Sequence, residues 1–158
     1  MVSRKRKEWG LVAGGVALLL GACAPRVAVR DESAEAGLGV VRTLVEAFNR
    51  HEPAQMAALV HEDFEYLSVD GKTVSVDAVG REALKQSMTG YFASVRDVES
   101  VIEHATVTGP YVAIRERVSW TGKSGRRSQA ALGVYEVREG LVKRVWYYPA
   151  VEQSKAAP

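Results

Sequence analysis

Residues 101–120 read VIEHATVTGPYVAIRERVSW. Two runs rich in β-branched and aromatic residues flank Gly109-Pro110, a turn signal that reverses the chain at once. So short a connection can only join antiparallel strands. In the second run Val112, Ile114, Glu116, Val118 and Trp120 alternate onto one face, and Arg115 and Arg117 fall on the other. The first face is apolar except for one carboxylate in its middle.

The pattern continues on both sides. Residues 98–107, 111–120, 127–138 and 141–149 are four strand-like runs, separated by Thr108-Gly109-Pro110, Gly122-Lys123-Ser124-Gly125 and Glu139-Gly140. Before them the period changes. Val40, Val41, Leu44, Val45 and Phe48 recur at helical spacing over residues 36–50. Pro53 suits the first turn of a short second helix carrying Met56, Leu59 and Val60. Residues 64–69 are extended, and Asp70-Gly71 turns them back into a hairpin with residues 73–76. Gly80 then breaks the chain. Residues 81–94 form a third helix with Leu84, Met88, Tyr91 and Phe92 as its buried stripe. Helices first and a meander last define an α+β domain, with about three N-terminal helices covering one face of a curved antiparallel sheet.

The ends read differently. The chain has 158 residues, 47% hydrophobic and 25% charged, room for one ordinary domain. Arg4-Lys5-Arg6-Lys7 precedes WGLVAGGVALLLGA at residues 9–22, an apolar stretch short of the ~20 residues a membrane span needs. It ends in Leu20-Gly21-Ala22-Cys23, which resembles the lipobox of bacterial lipoproteins. That resemblance implies a signal peptide over residues 1–22, removal of that segment and acylation of Cys23. The bilayer is then a partner through several acyl chains, since one chain alone binds only marginally. Ala24 in place of Asp implies the outer membrane, facing the periplasm. Residues 23–35 serve as a tether, and residues 151–158 are expected to fray.

Cys23 is the only cysteine, which excludes a disulfide or a catalytic thiol in the domain. Loss of residues 1–22 takes four of the 21 Lys+Arg and one of the 19 Asp+Glu, leaving 17 against 18. So balanced a chain has no field to attract nucleic acid. No His/Asp/Glu spacing suits a metal, and no glycine-rich phosphate loop implies a nucleotide cofactor, so no cofactor is expected.

Three longer motifs carry a family resemblance. VRTLVEAFNRHEPAQMAALVHEDFEY (residues 41–66), GREALKQSMTGYF (80–92) and VYEVREGLVKRVWYYP (134–149) occur in the order and spacing of the SnoaL-like branch of the nuclear-transport-factor-2-like superfamily, which includes ketosteroid isomerase. The chain resembles that branch over residues 36–150. The resemblance implies a cone in which the helices and a bent sheet enclose one apolar pocket, and a homodimer packed through the outer sheet face. It also places the isomerase base at Ser68, its tyrosine donor at Leu44 and its aspartic donor at Gly133. None of these residues can perform those roles, so isomerase activity of that kind is not expected.

The same alignment agrees with simple alternation on the pocket wall. It expects Ile114, Glu116, Val118 and Trp120 from one strand, and Gln129, Ala131, Gly133, Tyr135 and Val137 from the next. Val145 and Tyr147 come from the last strand, Met88 from the third helix, and Ser68 from the first strand. Glu116 is the sharpest chemical candidate, because a carboxylate in an apolar cavity tends to hold its proton. A two-residue turn at Gly109-Pro110 sets Glu103 opposite Glu116 as a carboxylate pair. A bulge, or a turn longer by one, sets His104 there instead as a His–Glu dyad. Tyr66, Tyr135 and Tyr147 are candidate hydroxyl donors. His51 and His61 read as solvated residues flanking the second helix, and Lys123, Arg126 and Arg127 as a solvated turn.

Three functions follow from this reading. The first is binding of a small apolar or amphipathic molecule with Glu116 as its polar anchor. The second is an isomerase-, cyclase- or hydrolase-type enzyme using Glu116 for proton transfer. The third is a dimerising scaffold with a filled cone.

Overall fold

The computed structural model describes residues 32–152. The expected signal segment and Cys23 lie outside them. The order is α1 (Glu32–Asn49), α2 (Pro53–Ala58), β1 (Val60–Asp70), β2 (Thr73–Val79), α3 (Arg81–Ser94), β3 (Glu99–Thr108), β4 (Tyr111–Gly122), β5 (Gly125–Arg138), β6 (Leu141–Tyr147) and β7 (Val151–Glu152). Residues 32–35 thus belong to α1 rather than to the tether. Val60 opens β1 instead of closing the second helix.

The sheet runs β2-β1-β6-β5-β4-β3, with β7 also paired to β5. It is an α+β architecture, as the element order implies, but the sheet is mixed. β1 pairs β6 in parallel, whereas every other pairing is antiparallel. The chain leaves β1 and returns beside it only after a hairpin strand, a helix and three meander strands, a crossover long enough to permit parallel pairing. The tail also departs from expectation. Ala130 pairs with Val151 and Gln129 with Glu152, so the chain after Pro149 starts with a short strand.

Helices α1, α2 and α3 cover the concave face. Val41, Leu44, Met56, Leu84 and Phe92 meet Val60, Phe64, Val112, Ile114, Val142 and Val145 in one buried core. Register shifts interrupt four of the strand pairings. An extra residue on one strand bends it and increases its twist, which is how a sheet curls around a cavity.

The end of α1 is tied down at an unusual residue. Glu52 N–H donates to the Ala47 carbonyl and His51 N–H to that of Phe48, closing a Schellman motif. His51 is the left-handed residue of this motif (φ 54°), where glycine is usual. Its imidazole makes up for the strain. Nε2–H donates to the Val98 carbonyl at 3.0 Å, and the ring stacks on Phe92 at 4.5 Å. His51 is therefore a structural clamp rather than a solvated end residue. His61 bonds the Arg138 carbonyl at 3.1 Å. The turn cations are also engaged, Arg126 with Asp97 and Glu99, and Arg127 with Glu152.

Candidate functional site

The concave face and the three helices enclose a cavity of about 440 Å³. Most of the expected wall is present: Met88, Glu116, Val118, Gln129, Ala131, Tyr135, Val145 and Tyr147 all line it. Ile114, Trp120, Ser68, Gly133 and Val137 do not. Ile114 is fully buried in the core and has no free surface to offer. Trp120 lies further along β4, with the Arg127 guanidinium 5.8 Å from its ring centroid. The Ser68 hydroxyl is taken by Asp77, at 2.5 Å from Oδ2.

Glu116 points inward and is buried. Ser100 Oγ donates to its Oε2 at 3.0 Å. Ser100 is in turn fixed by Asn49 at the end of α1: Asn49 Nδ2 donates to the Ser100 carbonyl at 2.8 Å, and Ser100 N–H donates to Asn49 Oδ1 at 2.7 Å. On the other side, the Tyr147 hydroxyl also hydrogen-bonds Glu116, and it meets the Tyr135 hydroxyl as well. One hydroxyl carries one proton, so with Glu116 ionised Tyr147 donates to Glu116 and Tyr135 donates to Tyr147. Burial pushes the Glu116 carboxyl above its ordinary 4.5, and the Tyr147 and Ser100 donors pull it back only in part. Burial likewise raises Tyr66, Tyr91, Tyr135 and Tyr147 above the ordinary 10.0, and Glu116 adds to each rise.

Gly133 makes this arrangement possible. A Cβ at that position would sit 3.2 Å from atoms of both the Tyr135 and Tyr147 rings. The place where the family resemblance puts an aspartic side chain is here occupied by two phenols.

The expected partners across the strand pair are absent. Pairing starts with Thr108 opposite Tyr111 and continues to His104 opposite Arg115, the register of a two-residue turn. A shift between Ile102 and His104 then places Ile102, not Glu103 or His104, opposite Glu116. The bulge turns Glu103 to the convex face, where it forms ion pairs with Arg115 and Arg117. Neither the carboxylate pair nor the His–Glu dyad exists.

A second carboxylate reaches the cavity from β2. Tyr66 pairs with Ala78 and Leu67 with Val76, so Asp77 is the extra residue of a bulge and lines the cavity. Ser68 and Ser75 hydroxyls hold its two carboxylate oxygens. Sequence reading missed Asp77, because alternation on β2 says nothing about where a bulge falls. It also missed Ser100, whose alternation with Val98 and Ile102 was the one signal available. Among the described residues, no group of three His, Cys, Asp or Glu is placed to hold a metal.

A helix-covered, curled sheet around one cavity with a buried carboxyl defines a cone-type pocket protein. Residues 41–145 match the SnoaL-like domain, and the chain belongs to that family. No curated protein matches it. Solved structures share the fold. A candidate ketosteroid isomerase from Kribbella flavida is 21% identical (TM-score 0.63, 80% of this chain and 85% of that one). An epoxide hydrolase from M. tuberculosis, described as LEH-like, is 17% identical (TM-score 0.62, 73% and 83%). A protein of ketosteroid-isomerase-like fold from Catenulispora acidiphila, solved with trimethylamine, is 17% identical (TM-score 0.61, 70% and 84%).

Proposed function

We propose that the chain is a lipid-anchored protein of the bacterial envelope, held at the outer membrane through acylated Cys23, whose cone binds a small amphipathic molecule. The ligand's polar end meets Glu116 and its apolar body fills the rest of the cavity. One observation carries this reading: a cavity of about 440 Å³ with a buried carboxyl in a mostly aromatic and aliphatic wall. That volume lies within the ~300–1,000 Å³ range of ligand pockets and weighs against a filled scaffold. The dimer suggested by the family resemblance would use the convex face, where Tyr111 and Leu132 are exposed.

The test is native mass spectrometry of the chain purified from its own envelope, wild type beside Glu116→Gln. Wild type should carry a co-purifying small molecule that the variant loses. Equal retention in both would remove Glu116 from the reading.

The Ser100 hydroxyl 3.0 Å from Glu116 favours a second reading, an isomerase-, cyclase- or hydrolase-type enzyme. Glu116 would pass a proton to or from substrate, with Tyr147 and Tyr135 as donors behind it. Turnover by wild type and none by Glu116→Gln, with ligand still bound, would establish this reading over simple binding.

A further inference from the structure

The side chains lining the cavity include no Lys, Arg or His among the described residues, yet they include Glu116 and Asp77. The arginines flanking Glu116 on β4 point to the convex face, where Arg115 and Arg117 are bound to Glu103. Among the described residues, no positive charge inside the cone is available to meet an anionic ligand.

The wall around the two carboxylates is aromatic. From the helices, Phe48 and Tyr91 come together with ring centroids 6.1 Å apart. From the sheet, Tyr66 stacks on Tyr147 at 5.4 Å, and Tyr135 meets the Tyr147 edge at 6.1 Å. Four of these rings, on α3, β1, β5 and β6, lie close enough to Glu116 to feel its charge, and Tyr66 feels Asp77 as well. Aromatic faces are electron-rich and attract cations, most strongly where water is excluded. Aromatic rings lining a cavity that also holds carboxylates, with no competing cation among the described residues, are the chemistry that selects a positive charge. Asp77 is exposed, with its oxygens held by Ser68 and Ser75, whereas a neutral ligand would leave the buried Glu116 carboxylate without a counter-charge.

We infer that the cavity takes an organic cation, a protonated amine or quaternary ammonium on an apolar body, with its charged end among the lining tyrosines, met by Glu116 and drawn in by the field of Asp77. This rests on the reading of the cone as a ligand site and names the ligand's class. Bringing a cation to Glu116 also gives that buried carboxylate a counter-charge that the lining side chains do not supply.

The test compares three probes of similar size: phenyltrimethylammonium, its uncharged isostere tert-butylbenzene, and benzoate. Each is measured by equilibrium dialysis against the full chain in lipid nanodiscs, with empty discs as the blank. The cation should bind about tenfold or more tighter than the isostere, and benzoate should not bind. Glu116→Gln and Asp77→Asn should each narrow the gap between cation and isostere. Asp77 lies on an exposed hairpin strand, so the second variant is informative even if the first loses its fold. Equal binding of cation and isostere, tightest binding of benzoate, or a full preference retained in Asp77→Asn and a folded Glu116→Gln would overturn the inference and leave the ligand-site reading standing. No binding of any probe would count against both.

Discussion

Two glutamates on neighbouring strands are almost equally buried, Glu116 at 7% exposure on β4 and Glu136 at 8% on β5. They occupy opposite faces of one sheet and are treated in opposite ways. Glu136 on the convex face binds Arg138 at 2.8 Å and Arg144 at 3.3 Å, and Arg144 also holds Glu65. Glu116 on the concave face has only hydroxyl donors. The convex carboxylate is neutralised by charge and serves the sheet. The concave one has no built-in counter-charge, so its proton and its hydrogen bonds remain open to a ligand. A buried carboxylate without a cation is costly, and a fold that keeps one beside a cavity is positioned to use it.

The largest expected effect separates the packed end of the concave face from its hollow end. Ile114 is fully buried, while Val118 is half-buried and borders the cavity on the same strand. Ile114→Ala should cost ~2–5 kcal/mol in urea unfolding, since it opens a new void in close-packed surroundings. Val118→Ala should cost roughly 1 kcal/mol or less, since it enlarges space that already exists. Equal losses at the two positions would mean that the cone is filled where the structure shows it open.

The next effect lies on the convex face. Arg144→Met removes the guanidinium shared by Glu136 and Glu65 and leaves Glu136 with Arg138 alone. Arg144 is a third exposed, so solvent screens part of the loss. A destabilisation of ~1–3 kcal/mol at neutral pH is expected, measured by chemical denaturation. A second substitution, Glu136→Gln, should recover part of it by removing the charge that was stranded. No loss in the single variant would show that the convex network contributes little and that the contrast between the faces is one of chemistry only.

How much of this could be read beforehand follows the same division. Strand alternation placed Glu116, Val118, Tyr135 and Tyr147 on the concave wall, because period-two geometry is local. The two-residue turn at Gly109-Pro110 set the first half of the β3–β4 register for the same reason. The bulges were not legible. One at Glu103 moved the expected partner of Glu116 to the convex face, and one at Asp77 brought an unforeseen carboxylate into the cavity. Bulges answer to the curvature of the whole sheet, which no short window of sequence contains. The parallel β1–β6 pairing and the short strand after Pro149 escaped for the same reason, since both depend on which edge remains free once the sheet has curled. Asn49 lies within the 41–66 motif that carries the family resemblance, but its bond to Ser100 joins residues 51 positions apart.

The smallest effect is a slope rather than a loss, and it isolates the concave glutamate. Burial raises the folded-state pKa of Glu116 above the ordinary 4.5. The folded state therefore binds a proton more tightly than the unfolded chain does. Stability from this group is fully present below the unfolded value and is lost as pH rises through the folded one. Glu116→Gln keeps the shape of the side chain and one acceptor oxygen but cannot ionise. Wild type and variant should show the same pH dependence below about 4.5, the ordinary glutamate range. Above it wild type should fall behind, with the gap levelling off once Glu116 is ionised in the folded state. Denaturant midpoints taken at a series of pH values from the ordinary glutamate range upward would trace this curve. A gap of the opposite sign, with wild type gaining on the variant as pH rises, would mean that the Tyr147 and Ser100 donors outweigh burial, and that the concave glutamate is held in its charged form by hydrogen bonds where the convex one is held by arginines.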